Sequence, residues 1–129
     1  MPRASTTPAL PPPLWPALVA PAGLAALGVL FIFWPAAGAW LFGLDLPEGG
    51  ARAWLAVVGL RDLVFAGYAF ALAAFASRRA LGILLALTAL IPAGDIAILL
   101  AMGSGAALHV ALHLLSGAVM AGAAWWALR

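Results

Sequence analysis

An all-α, polytopic membrane protein is predicted here: an up-down-up-down bundle of four transmembrane helices. Three observations predict it. Hydrophobic residues make up 67% of the 129 residues and charged residues 8%, with a mean hydropathy of +1.15. A soluble domain is nearer half apolar and a quarter charged, so a compact fold of this length has no way to hide so much apolar surface from water. The apolar residues fall into four spans, each near the ~20 residues that a bilayer requires. The connections DLPEGG, SRR and GSG are short, and short loops make neighbouring helices antiparallel.

The elements follow in order. Residues 1–16, MPRASTTPALPPPLWP, hold six prolines and read as an extended or disordered tail in which no helix starts. The transmembrane domain is residues 17–129. Span one is about 17–44, with Pro21 at its start and Pro35 in its outer half. The AGA at Ala37 to Ala39 resembles a signal-peptidase site, but the apolar run before it is far longer than a signal h-region and only Arg3 precedes it. Span two is about 51–76, span three about 80–102 and span four about 105–128. Gly and Ala are frequent in every span, which suits close helix approach in lipid.

Charge sets the expected orientation. Arg3, Arg78, Arg79 and Arg129 fall on one side, and Arg52 lies on the other with Asp45 and Glu48. The positive-inside rule then puts both termini in the cytoplasm, and a bacterial inner (plasma) membrane is the expected setting. Trp15, Trp125 and Trp126 mark the inner interface, and Trp40 and Trp54 the outer one. Six arginines without a lysine form no basic stripe, so a nucleic-acid partner is not expected. There is no cysteine, which excludes disulfides and thiolate chemistry.

Five ionisable residues lie inside the spans: Arg61, Asp62, Asp95, His109 and His113. Each charged side chain at the bilayer centre costs roughly 2.5–3.5 kcal/mol on insertion scales, so such groups need partners or water. At the α-helical rise, Asp95 is roughly 10 Å from the outer end of its span, His113 roughly 12 Å, His109 roughly 6 Å, and Arg61 and Asp62 roughly 15 Å. Three helices thus put polar groups in one layer. Neighbours on a helix are about 100° apart, so Arg61 and Asp62 are each expected to seek a partner on another helix. Arg61 with Asp95 and Asp62 with a histidine is the preferred pairing, and the exchanged arrangement stays open.

Other residues gather around this layer. Trp54, Arg61 and Tyr68 recur every seven residues and share a face, where aromatics can shield a guanidinium. Pro92 removes a helix bond to the carbonyl of Thr88, so a kink is expected beside Asp95. Pro35 does the same in span one, with Trp34 close to the layer. His109 and His113 are four apart and face one way, and Ser116 continues that face. An HxxxH pair suits zinc, iron or copper. It needs a third ligand, for which Asp95 or Asp62 is available, and two histidines alone do not make a site. No metal and no cofactor is assigned.

At these residues the chain resembles a known family. GLRD (Gly59 to Asp62), RRALG (Arg78 to Gly82), IPAGD (Ile91 to Asp95) and a histidine in span four are similar to a family of small four-helix membrane proteins of bacteria and fungi. That family is a domain of unknown function, and the resemblance covers about residues 17–128. It implies four helices and a common site for Arg61, Asp62, Asp95 and a histidine.

Three functions fit these observations. The first is a membrane-embedded enzyme performing acid–base chemistry on an apolar small molecule, of isomerase, epoxide-opening hydrolase or cyclase type. Its expected catalytic residues are Asp95, Asp62, His113 and Arg61, with His109, Tyr68, Trp54, Trp34, Thr88 and Ser116 around the ligand. The second is a small-molecule or proton-coupled transport module. Four helices enclose little space, so a homodimer is its natural assembly. The third is a structural subunit that docks a partner, for which buried ion pairs are an inefficient device.

Overall fold

The structure, a computed structural model, describes residues 13–129; the rest of the proline-rich tail, residues 1–12, lies outside the described residues. All regular structure among the described residues is helical. A short 3-10 turn, Trp15–Leu18, leads into α1 (Val19–Phe33), and α2 is Pro35–Phe42. A second 3-10 turn, Gly49–Arg52, leads into α3 (Ala53–Phe75). The last three helices are α4 (Arg78–Thr88), α5 (Leu90–Ala101) and α6 (Ala107–Leu128). Four segments are long and apolar enough to cross a membrane: Trp15–Phe33, Gly49–Phe75, Arg78–Ala101 and Ala107–Leu128. The chain is therefore an all-α, multi-pass membrane protein.

Two expectations need adjusting. Helical structure begins at Trp15, inside the segment read as a helix-free tail, because Pro16 tolerates the first turn, where its missing N–H has no bond to make. The long first span is not one helix. Trp34 takes φ −131° and ψ 63°, because the ring of Pro35 disfavours the helical region for the residue before it. Pro35 then starts α2, which ends where Gly43 adopts φ +100° and closes bonds from its own N–H and that of Leu44 to Ala39 O. A left-handed residue at a helix end favours glycine.

Glycine also sets how closely the first helices approach. A side chain at Gly59 would sit 2.6 Å from Gly28 O, and one at Gly28 would sit 2.7 Å from Gly59 O. The backbones of α1 and α3 therefore touch at this crossing, two residues before Arg61. Packing of this kind, and not water exclusion, drives helix association in lipid.

The other half is organised by α6, which packs along α4 and α5. Ser77 Oγ accepts the Ala80 N–H at 3.1 Å and caps the start of α4. The kink expected near Pro92 falls at Ala89, between α4 and α5. At the termini end of the bundle, where residue 13 and the C-terminus lie, Ala17, Ala20, Leu81, Leu85, Met120 and Ala124 belong to one packed core. Trp126 Nε1 donates to Pro13 O there at 2.8 Å, and Arg78 Nη2 donates to Trp126 O at 3.0 Å.

Candidate functional site

Above that core the helices part. A cavity of about 400 Å³ lies between α1 and α3 on one side and α5 and α6 on the other. The volume is at the small end of the ~300–1,000 Å³ usual for small-molecule sites. Most of its wall is apolar, with Leu27, Phe31, Val58 and Leu112 among the lining residues. Its polar lining is Arg61, Asp62, Thr88, Asp95, His113 and Ser116. The structure thus brings together six of the ten residues expected at the site.

Arg61 and Asp62 pair with each other. Arg61 Nε and Nη2 both donate to Asp62 Oδ1, at 3.1 and 3.0 Å. The expected cross-helix pairs, Arg61 with Asp95 and Asp62 with a histidine, are not formed. The physical reason is reach. The 100° between neighbours separates the Cα–Cβ directions, but an arginine side chain is long enough to turn back on a short carboxylate beside it. Asp62 is 5% exposed, while the Arg61 side chain is 45% exposed.

Asp95 meets His113 across the gap between α5 and α6, with Oδ2 3.5 Å from Nδ1. This is an ion-pair distance, longer than a direct hydrogen bond. The other ring nitrogen, Nε2, lies 3.1 Å from Phe42 O. The Phe42 ring stands edge-on to the imidazole, with centroids 4.9 Å apart. A carbonyl oxygen only accepts, so Nε2 carries the N–H. Sequence reasoning missed Phe42 altogether. Its signal was the FG pair: Gly43 ends α2, and carbonyls in a helix's last turn lack intrahelical donors.

Thr88 is buried, and its hydroxyl donates to Leu84 O at 2.8 Å, back along its own helix. It shapes the wall at the kink and has spent its donor there. Ser116 lines the cavity one turn from His113.

Four expected residues stand apart from the cavity. His109 Nδ1 accepts the Ala106 N–H at 3.1 Å, which caps the start of α6. Its ring stands edge-on to Trp40, with centroids 5.9 Å apart. The two histidines share a helix face, yet one serves the helix end and the other the cavity. Among the described residues no group of three or more His, Cys, Asp or Glu is placed to hold a metal ion. Trp54, Tyr68 and Trp34 are exposed on the bundle surface. Tyr68 meets Phe65 and Trp34 meets Phe33, each edge-on. The cation–π contacts found among the described residues are made elsewhere, by Arg129 over Trp125 at 3.3 Å and over Trp126 at 5.5 Å.

Four apolar crossings define a small multi-pass membrane protein, with ionisable side chains facing a cavity inside the bundle. The chain belongs to the family described as Domain of unknown function (DUF4267), whose model matches residues 22–127. No curated protein and no solved structure matches the chain.

Proposed function

We propose that the cavity binds an apolar small molecule and that the Asp95–His113 pair moves a proton on it. One observation carries this reading: a carboxyl and an imidazole, from different helices, face each other on the wall of an otherwise apolar cavity. With the Nε2 proton on Phe42 O, the Nδ1 of a neutral His113 turns a lone pair to Asp95. A proton on either group would be shared with the other once a ligand draws the two within hydrogen-bond distance. Such a pair gives a proton to one atom of a substrate and recovers one from another, returning to its starting state. Isomerisation and cyclisation need that cycle, and hydrolytic epoxide opening needs it with the recovered proton coming from the attacking water.

Arg61 is fixed by Asp62 through Nε and Nη2 to a single oxygen. Its Nη1 edge makes none of these bonds and is available to an oxyanion developing beside the pair. Asp62 thereby orients Arg61 and takes no part in the proton cycle. The packed alanine-rich core at the termini end argues for a closed pocket over a transport path to both faces.

The test compares wild type with Asp95→Asn, which keeps the shape of the side chain. Each purified protein is incubated with a total membrane-lipid extract, and the extract is profiled by mass spectrometry. A species consumed or formed by wild type alone is expected, with both proteins equally folded by circular dichroism. Identical profiles for the two proteins would sink the proposal.

A further inference from the structure

The cavity has a mouth, and its position says how a ligand enters. Val19 of α1 and Leu115 and Val119 of α6 line the cavity, yet they are 56%, 61% and 41% exposed. Gly23, also in the lining, is exposed, and a side chain built there would meet nothing within 4 Å. A residue that both lines a cavity and lies on the surface marks its opening. Contact between α1 and α6 is sparse, whereas α1 packs closely on α3. The opening therefore lies between α1 and α6.

Depth decides what surrounds it. Leu115 and Val119 are roughly 12 and 18 Å along α6 from its first residue at the usual rise. That is well inside a hydrocarbon layer about 30 Å thick. The mouth faces acyl chains and not water.

Polarity changes along the cavity. From Val19 to Phe31 its α1 wall runs roughly 18 Å. The mouth is apolar, and Asp95, His113 and the Phe42 carbonyl lie towards the opposite end of the bundle. The floor towards the termini is closed by Ala20 and Met120, which belong to the packed core. Arg61 is already matched by Asp62, so no unpaired arginine lines the cavity to attract a charged head.

From this we propose the substrate class and its route: a single-chain amphiphile, one alkyl or isoprenoid chain with a small uncharged oxygen-bearing head, enters sideways from the bilayer between α1 and α6, head first. The head reaches Asp95 and His113, and the chain trails towards the mouth. A cavity this small excludes two-chain lipids. This inference rests on the reading that the cavity is the substrate site.

The test uses the full chain in phosphatidylcholine vesicles and a sixteen-carbon alcohol, about as long as the cavity wall, with a photoactivatable diazirine near its methyl end. Labelled peptides are mapped by mass spectrometry. Adducts are expected in the segments 19–27 and 112–120, and excess hexadecanol should suppress them while the two-chain vesicle lipid does not. Val119→Trp and Gly23→Leu each plug the mouth from an exposed position, so one decides if the other fails to fold. Either should reduce the hexadecanol-sensitive labelling about tenfold or more, equivalent to at least about 1.4 kcal/mol of binding. Labelling that hexadecanol does not suppress, or that both folded plugs leave unchanged, overturns the inference. Asp95→Asn should keep the labelling. If it keeps both labelling and turnover, the route stands and the proton-transfer reading falls.

Discussion

Removing Arg61 alone should harm this protein more than removing Arg61 and Asp62 together. Arg61→Leu strands a carboxylate that is 5% exposed. The guanidinium nitrogens lie 3.0 and 3.1 Å from Asp62 Oδ1, which puts the charge centres about 4 Å apart. At an effective dielectric constant of 20 that attraction is about 4 kcal/mol. Two effects reduce the loss. The Arg61 side chain is 45% exposed, so the pair is screened more than a fully buried one. The stranded carboxyl can also take up a proton. We expect Arg61→Leu to cost about 2–4 kcal/mol, near the lower part of the range for breaking buried pairs. The double variant Arg61→Leu with Asp62→Leu leaves no stranded charge and should recover at least half of that, about 1–2 kcal/mol, and the Asp62→Leu single variant completes a cycle whose coupling is at least as large. The assay is reversible unfolding in mixed micelles by titration with dodecyl sulfate, followed by far-UV circular dichroism. A coupling below about 0.5 kcal/mol would refute the adjacent pairing. A parallel cycle of Arg61→Leu with Asp95→Asn should show the smaller coupling. If it shows the larger one, the guanidinium serves Asp95 and the cross-helix arrangement is the correct one.

Gly59→Leu pushes a side chain into Gly28 O, 2.6 Å from its first atom. It should cost about 1–3 kcal/mol by overpacking, measured in the same micelle titration, whereas Gly67→Leu, with nothing within 4 Å, should be nearly neutral. Gly43→Val strains a backbone at φ +100° and crowds His109 Cβ at 2.9 Å. It should loosen α2, seen as faster amide hydrogen exchange over residues 35–42. His113→Phe keeps an aromatic ring beside Phe42 and removes both polar contacts. It should fold, and its lipid-extract profile should match that of Asp95→Asn.

The crossings were readable because each rests on composition over twenty or so residues, a signal that no single side chain can spoil. Which polar groups would meet was readable only in part. Helix rise says how deep a Cβ lies, and that is enough to put Asp95 and His113 in one layer. It does not say where the end of a long side chain goes: the 100° between neighbours directs Arg61 across the bundle, whereas its guanidinium folds back on Asp62. Likewise, four-residue spacing placed His109 beside His113 on one face. It carried no information that Nδ1 of His109 would cap the start of α6, three residues from an N–H lacking a partner. The break at Trp34 was signalled by Pro35, but a proline inside an apolar run reads equally as a kink or a stop. Only the packing of α2 against Phe31, through Gly38, separates the two. Phe42 contributes a backbone atom, and side-chain reasoning does not look for one.

The two pairs differ in a way that bears on what the site can do. Arg61 and Asp62 belong to one helix, so no movement of α5 or α6 separates them. Their charges stay matched whatever enters the cavity. Asp95 and His113 belong to two helices and face each other at 3.5 Å, longer than a direct hydrogen bond. A ligand that parts α5 from α6 separates these two groups, and one that draws the helices together shortens their contact. Splitting either pair in lipid strands charge, at the roughly 2.5–3.5 kcal/mol that insertion scales assign to each unpaired group. The same-helix pair avoids that cost by construction. The cross-helix pair has no such safeguard, because its contact depends on how α5 and α6 sit. The proposed acid–base work would use both: a fixed ion pair to act against, and a separable carboxyl and imidazole to move a proton.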